Sequence, residues 1–183
     1  MVSGFVYWAL VQAWIALQIA MGPFGDLAQH VLIGGWMVAA PLALYIVRRP
    51  GVGIVVELAA ALVEVVFLAS PVGPMLLVVG LVQGAGAELA FTLTRYRRYD
   101  WGVFVASGAL AGLASTALGI VRFGWLTQDW FVWRLGLQMA SGILLCGVAA
   151  KLIGDALART GVLDNTPLGR ARREATPNPV PVA

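Results

Sequence analysis

The chain has 183 residues, 60% of them hydrophobic and only 11% charged, with a formal net charge of +3. Its mean hydropathy is +0.86. Soluble domains carry roughly 25% charged residues, so the composition excludes an ordinary soluble domain and describes an integral membrane protein built as one membrane domain. The sequence pI near 9.5 reflects basic loops and not a nucleic-acid-binding patch. The lone cysteine, Cys146, lies inside an apolar run and can form no intrachain disulfide. The lone histidine, His30, excludes a multi-histidine metal site, and no cofactor is expected.

A helix needs about 20 apolar residues to cross the hydrocarbon core of a bilayer. Six runs meet or approach that length. The first, Ser3–Ala20, lacks a basic flank and a small-residue cleavage site, and reads as a membrane helix and not a signal peptide. It carries Ala9 and Ala13 at four-residue spacing, either an internal packing face or a docking face for another membrane subunit. After MGPFGD comes Val31–Val47, ending at Arg48-Arg49-Pro50-Gly51. Gly53–Ala69 and Pro74–Thr94 form a hairpin around SPVGP. Gly102–Val121 carries Gly108, Gly112 and Thr116, a small-residue stripe that predicts close packing between helix backbones. Phe131–Ile153 is the last run. The expected fold is all-α, a six-helix polytopic membrane domain over residues 1–163 followed by a disordered cytoplasmic tail over 164–183.

Arg48 and Arg49 follow the second run, Arg95, Arg97 and Arg98 the fourth, and Lys151, Arg159, Arg170, Arg172 and Arg173 the sixth. With six crossings these clusters share the side of both termini, and the positive-inside rule makes that side cytoplasmic. The expected location is therefore a cell membrane, crossed several times, with the bilayer as partner and no nucleic acid. Trp101, Tyr96 and Tyr99 at one interface and Trp125 and Trp130 at the other fit aromatic belts.

Glu57, Glu64 and Glu88 lie within the apolar runs. A carboxyl group in hydrocarbon is costly without a partner or a polar cavity, so each marks a candidate site. Depth along the runs gathers an outer-half cluster of Glu64, Gln83, Trp36, Trp133, Arg134 and Gln138. Indole faces attract cations, and a carboxylate accepts charge-assisted hydrogen bonds. The cluster therefore suits a small ring ligand bearing a positive charge. The competing reading pairs Glu64 with Arg134 as a clamp between helices. Glu57, placed nearer the inner surface, suits helix packing or pairing with Arg48 or Arg98, and Glu88 stands between the two roles.

No Walker A, H-E-x-x-H or G-x-S-x-G motif is present, and no nucleophile–base pair stands out. An enzyme is not expected. A ligand-free structural or assembly subunit is the alternative to a binding protein.

The run RRPGVGIVVELAAALVEVVFLASPVGPMLLVVGLVQGAGAELAF resembles the YkoE family, substrate-binding S-components of energy-coupling factor (ECF) transporters. So does SGILLCGVAAKLIGDALARTGVLDNTPLG near the C-terminus. The similarity runs from about Val6 to Gly169. It is carried by R-R-P-G at Arg48–Gly51, by the Glu57 and Glu64 pair, by P-V-G-P at Pro71–Pro74, and by Q-G-A-G-A-E at Gln83–Glu88. The resemblance implies a six-helix protein that takes up thiamin or its hydroxymethylpyrimidine precursor from outside. It would dock on a transmembrane coupling subunit driven by ATPase subunits and hydrolyse nothing itself. On that reading Glu64 meets the aminopyrimidine or balances the thiazolium, Trp36 and Trp133 stack on the rings, and Gln83 and Gln138 satisfy the remaining polar atoms. Glu88 joins them if the fourth helix kinks near Gly84 and Gly86, and Ala9 and Ala13 form the docking face. Measured against the family, the chain begins inside the first helix, and its first outer loop, MGPFGDLAQH, shares little beyond Gly22-Pro23.

Overall fold

The computed structural model describes residues 2–70 and 72–175. Pro71 of the P-V-G-P motif and the last eight residues of the expected tail, 176–183, lie outside the described residues. Among the described residues every regular element is helical. The elements are α1 (Val2–Met21), α2 (Gly25–Leu32), α3 (Ala39–Val47), α4 (Val52–Val66), α5 (Met75–Leu93), α6 (Trp101–Phe123), α7 (Phe131–Ser141), α8 (Ala149–Arg159) and α9 (Pro167–Ala175). A 3₁₀ turn at Ile33–Met37 joins α2 to α3, and a π-helical turn at Gly142–Val148 joins α7 to α8. The result is six rods, matching the six apolar runs. Residues 4–47 taken together, α5, α6 and residues 131–159 are long and apolar enough to cross a membrane. α4, at 15 residues, is shorter than a full crossing.

Glycine decides how closely the rods approach. A Cβ built on Gly108 of α6 would lie 2.1 Å from the Gly142 carbonyl oxygen, and one on Gly142 would lie 2.3 Å from that of Gly108. Gly147 meets the Phe104 carbonyl in the same way. The small-residue stripe expected on this run is thus an internal packing face. α4 and α5 pack by the same device, since a Cβ on Gly84 would lie 2.9 Å from the Ile54 Cα. Ser107 adds a hydrogen bond from its hydroxyl to the Ala87 carbonyl at 2.7 Å, tying α6 to α5.

One end of the bundle is closed by polar contacts. Glu88 on α5 accepts from the backbone N–H of Gly51, from that of Ile54 at 3.2 Å, and from the Tyr96 hydroxyl at 2.8 Å. It therefore caps the start of α4 and gathers the α3–α4 and α5–α6 connections, which carry Arg48, Arg49, Arg95, Arg97 and Arg98, at the same end. Lys151 and Asp155 on α8 pair at 2.8 Å, and both bond the Tyr45 hydroxyl of α3 at 2.7 Å. Residues 167–175, expected to belong to a disordered tail, form α9. Leu168 is fully buried against α3, and Arg172 reaches Asp155 at 3.6 Å. The tail reading rested on Pro and Arg content, which did not register one apolar anchor inside a short basic helix.

Gly108→Val should push α6 away from the π-helical turn and lower stability by about 1–3 kcal/mol. Gly136→Ala, with open space around its Cβ position, should stay within about 0.5 kcal/mol of wild type. Thermal unfolding in detergent separates the two.

Candidate functional site

All six rods contribute to a cavity of about 310 Å³, within the range of small-molecule sites, roughly 300–1,000 Å³. α1 supplies Tyr7, Val11 and Trp14, whose spacing of four and three puts them on one helix face. α4 supplies Glu57, Ala61 and Glu64 with the same spacing, and α5 supplies Leu76, Val79, Gly80 and Gln83. Ser115, Leu118 and Gly119 line it from α6, Gln138 from α7, and Ile33 and Trp36 from the 3₁₀ turn. Val72, Arg122, Phe123 and Trp125 bring the lining to the α4–α5 and α6–α7 connections, at the end opposite Glu88.

The cavity's polar groups divide into those already bonded and those left open. Glu57 Oε1 accepts from the Tyr7 hydroxyl and from the backbone N–H of Ala40, each at 2.9 Å. The Tyr7 oxygen in turn accepts from the Ala39 N–H at 3.0 Å, and the Trp36 indole donates to the Tyr7 carbonyl at 3.0 Å. The N–H groups at the start of α3 have no intrahelical acceptor, and the Glu57–Tyr7 pair supplies one. Gln83 donates to the Ser115 hydroxyl at 3.2 Å. Among the described residues two buried polar atoms of the lining have no hydrogen-bond partner, Glu64 Oε2 and the Trp14 indole nitrogen. A buried polar atom without a partner is costly, and a ligand carrying both a donor and an acceptor would satisfy the two together. Among the described residues the only Lys or Arg in the lining is Arg122, whose exposed side chain lies over the Phe123 ring at 4.8 Å.

Of the residues expected to form the site, Glu64, Gln83, Trp36 and Gln138 come together around the cavity. Trp133 does not: it is 62% exposed on the outer face of α7. Its neighbour Arg134 and the residues four and seven further on, Gln138 and Ser141, form the buried face, so Trp133 is rotated away from it. Glu88 is also outside the cavity, because α5 runs unbroken through Gly84 and Gly86 and its carboxylate caps α4. Arg134 does not pair with Glu64. Its guanidinium bonds Asp26 Oδ2 on α2 at 2.6 and 3.0 Å and the Gln128 side chain at 2.5 Å. Glu57, Tyr7, Trp14, Ser115 and Trp125 were not predicted in the site. The seven-residue spacing from Glu57 to Glu64 was the signal for Glu57, and the spacing of Tyr7, Val11 and Trp14 was the signal for α1.

Comparison with known proteins now bears on this geometry. A family model described as the permease component of an ABC-type cobalt transport system matches residues 1–114. A protein of Bacillus subtilis (strain 168), provisionally named an HMP/thiamine permease protein, YkoE, is 36% identical over 154 residues, covering 83% of this chain and 77% of that protein. A crystal structure of an S-component of an ECF transporter superposes with a TM-score of 0.87 at 34% identity, covering 95% of this chain and 87% of the other. The chain belongs to the YkoE family of ECF S-components. It is a membrane-embedded, substrate-binding transport component and not an enzyme. Within this S-component the cavity among α1, the Ile33–Met37 turn, α4, α5, α6 and α7 is the candidate substrate site.

Glu88→Gln should weaken the cap on α4 and cost about 1–3 kcal/mol of stability, read as a lower unfolding midpoint. Ligand affinity should stay within about twofold of wild type, as expected for distant sites. A tenfold or greater loss of affinity would place Glu88 in the site after all.

Proposed function

We propose that this S-component captures thiamin or its hydroxymethylpyrimidine precursor and delivers it inward in company with a transmembrane coupling subunit and ATPase subunits. The observation that carries this reading is the cavity itself. Among the described residues it combines two carboxylates, three amides and three indoles, and leaves Glu64 Oε2 without a partner. An aminopyrimidine brings N–H donors for Glu64 and ring faces for Trp36, Trp14 and Trp125. A thiazolium brings a positive charge that indoles and carboxylates favour. Glu57, already bonded by Tyr7 and Ala40, supports the inner wall. Gln83 and Gln138 meet the remaining polar atoms. The name of the Bacillus relative supports the same ligands.

The cobalt in the family model's description finds less support in the residues. Among the described residues no three of His, Cys, Asp and Glu gather as a metal-binding group. Two carboxylates flanked by indoles and amides suit an organic cation better than a transition metal.

The proposed setting is the bacterial cytoplasmic membrane with both termini inside, which puts the arginine-rich end in the cytoplasm and the Arg122–Trp125 end of the cavity outside. Ala9 and Ala13 are exposed on the face of α1 away from the cavity, which supports the proposal that they dock against the coupling subunit.

Titration of the purified protein with thiamin and with hydroxymethylpyrimidine, followed by tryptophan fluorescence and calorimetry, tests the reading. At least one should bind at micromolar concentration or tighter, and Glu64→Gln should lose about tenfold or more in affinity while remaining folded, as expected for a charged hydrogen bond. Absence of binding by both compounds would sink the vitamin reading. If the glutamates serve as structural clamps only, their substitution lowers stability and leaves binding alone. Ala9→Leu with Ala13→Leu should leave ligand affinity intact and abolish co-purification with the coupling subunit. Retained assembly would remove α1 from the docking face.

A further inference from the structure

His30 is 1% exposed and does not line the cavity, so the site described above gives it no role. It reaches that site at two points. Its ring meets Trp125 edge to face, with centroids 4.9 Å apart, and its Nδ1 lies 3.0 Å from Gln138 Nε2. The other end of the Gln138 amide, Oε1, lies 2.6 Å from the Thr116 hydroxyl. A primary amide fits its space in two orientations that differ only by exchanging nitrogen and oxygen. Its neighbours decide between them.

Thr116 cannot make that decision. It has one hydroxyl proton and two acceptors within reach, Gln138 Oε1 and the Gly112 carbonyl at 2.9 Å. With the proton given to Gly112, the Thr116 oxygen would accept from the nitrogen end of a flipped amide just as well. His30 Nδ1 is either a donor or an acceptor, so ring tautomer and amide orientation are set together, and Gln138 Nε2 facing Nδ1 makes Nδ1 the acceptor. In the tautomer with its ring proton on Nε2, Nδ1 is an acceptor only and demands the nitrogen end of Gln138. Burial and the Trp125 contact hold the ring in place.

We infer that His30 is a positioning residue for ligand recognition, locking the Gln138 amide with its nitrogen toward His30 and its oxygen toward Thr116 and so setting which hydrogen-bond pattern this wall of the cavity accepts. The inference rests on the proposal that the cavity binds an aminopyrimidine. In the locked state Gln138 keeps one N–H and one oxygen lone pair for a ligand, at fixed ends of the amide. Flipping the amide would exchange donor and acceptor along the wall. The aminopyrimidine ring is sensitive to that exchange. Replacing its amino group by a carbonyl turns the adjacent ring nitrogen into an N–H, which reverses the pattern the ring presents. Sites built to bond one pattern reject the other strongly, because buried groups are left unpaired.

The experiment measures thiamin and oxythiamin, its carbonyl analogue, against wild type, His30→Phe and His30→Asn, with thermal unfolding confirming that each variant is folded. Phe keeps a ring against Trp125 and removes the acceptor, and Asn keeps a polar group that can face either end of Gln138. Wild type should prefer thiamin by about a hundredfold or more. That preference should shrink by about tenfold or more in both variants, or in the one that folds. A variant that loses affinity for both ligands by the same factor, or keeps the wild-type preference, overturns the inference and leaves the vitamin reading standing. So does a wild type that binds both equally. A wild type that binds neither thiamin nor oxythiamin overturns the inference, and the vitamin reading falls with it only where hydroxymethylpyrimidine also fails to bind.

Discussion

A carboxylate inside a membrane domain must be met by donors, and the way Glu57 is met organises this protein. Its Oε1 takes the Tyr7 hydroxyl from α1 and the Ala40 N–H from the start of α3, while the residue itself sits on α4. One oxygen atom thus joins three rods. The same contact answers a second need, because the break between the 3₁₀ turn at Ile33–Met37 and α3 leaves N–H groups without intrahelical acceptors. Remove the carboxylate, and the inner wall of the cavity loses the atom that sets the positions of Tyr7 and, through the Tyr7 carbonyl, of Trp36.

The other two glutamates meet the same constraint differently, and the contrast assigns their roles. Glu88 is bonded by two backbone N–H groups and a tyrosine, next to a helix N-terminus whose dipole favours negative charge. Both of its carboxylate oxygens are bonded. Glu64 shares a face with Glu57 and keeps an oxygen with no donor. Arg134 could have neutralised it, and the fold spends that cation on Asp26 instead. Bonded groups shape the cavity, and the open ones at Glu64 and Trp14 await whatever enters it.

Hydrophobicity made the six rods readable because every crossing must be apolar whatever surrounds it. Small-residue spacing likewise foretold the α6 packing face, since only glycine permits the contact between Gly108 and Gly142. Rotation was not readable from depth. Trp133 and Gln138 lie on the same run in its outer half, yet one is exposed and the other buried, because five residues leave a net helix rotation of about 140°. Glu57 was placed near the inner surface with helix packing among its roles; it does join helices, and the cavity also extends down α4 to reach it. Glu88 depended on a kink that α5 does not have. His30 was read only as a missing metal ligand, and no single-sequence signal links it to Gln138, 108 residues away.

α1 presents two faces with different demands. Tyr7, Val11 and Trp14 turn into the cavity, while Ala9 and Ala13 stay exposed on the other side. Apart from its neighbours in the bundle, the helix is held at this level by the Tyr7 hydroxyl on Glu57 and by the Trp36 indole on the Tyr7 carbonyl. A ligand that competes for Glu57, or stacks on Trp36, therefore acts on the position of α1 directly, with no chain of intermediaries. If the outward face of α1 meets the coupling subunit as proposed, ligand and partner bias the same rigid element from opposite sides. Linkage then requires that each alter the affinity for the other by the same factor. The buried carboxylate that holds the fold together would also be the point at which occupancy of the cavity is felt by the partner.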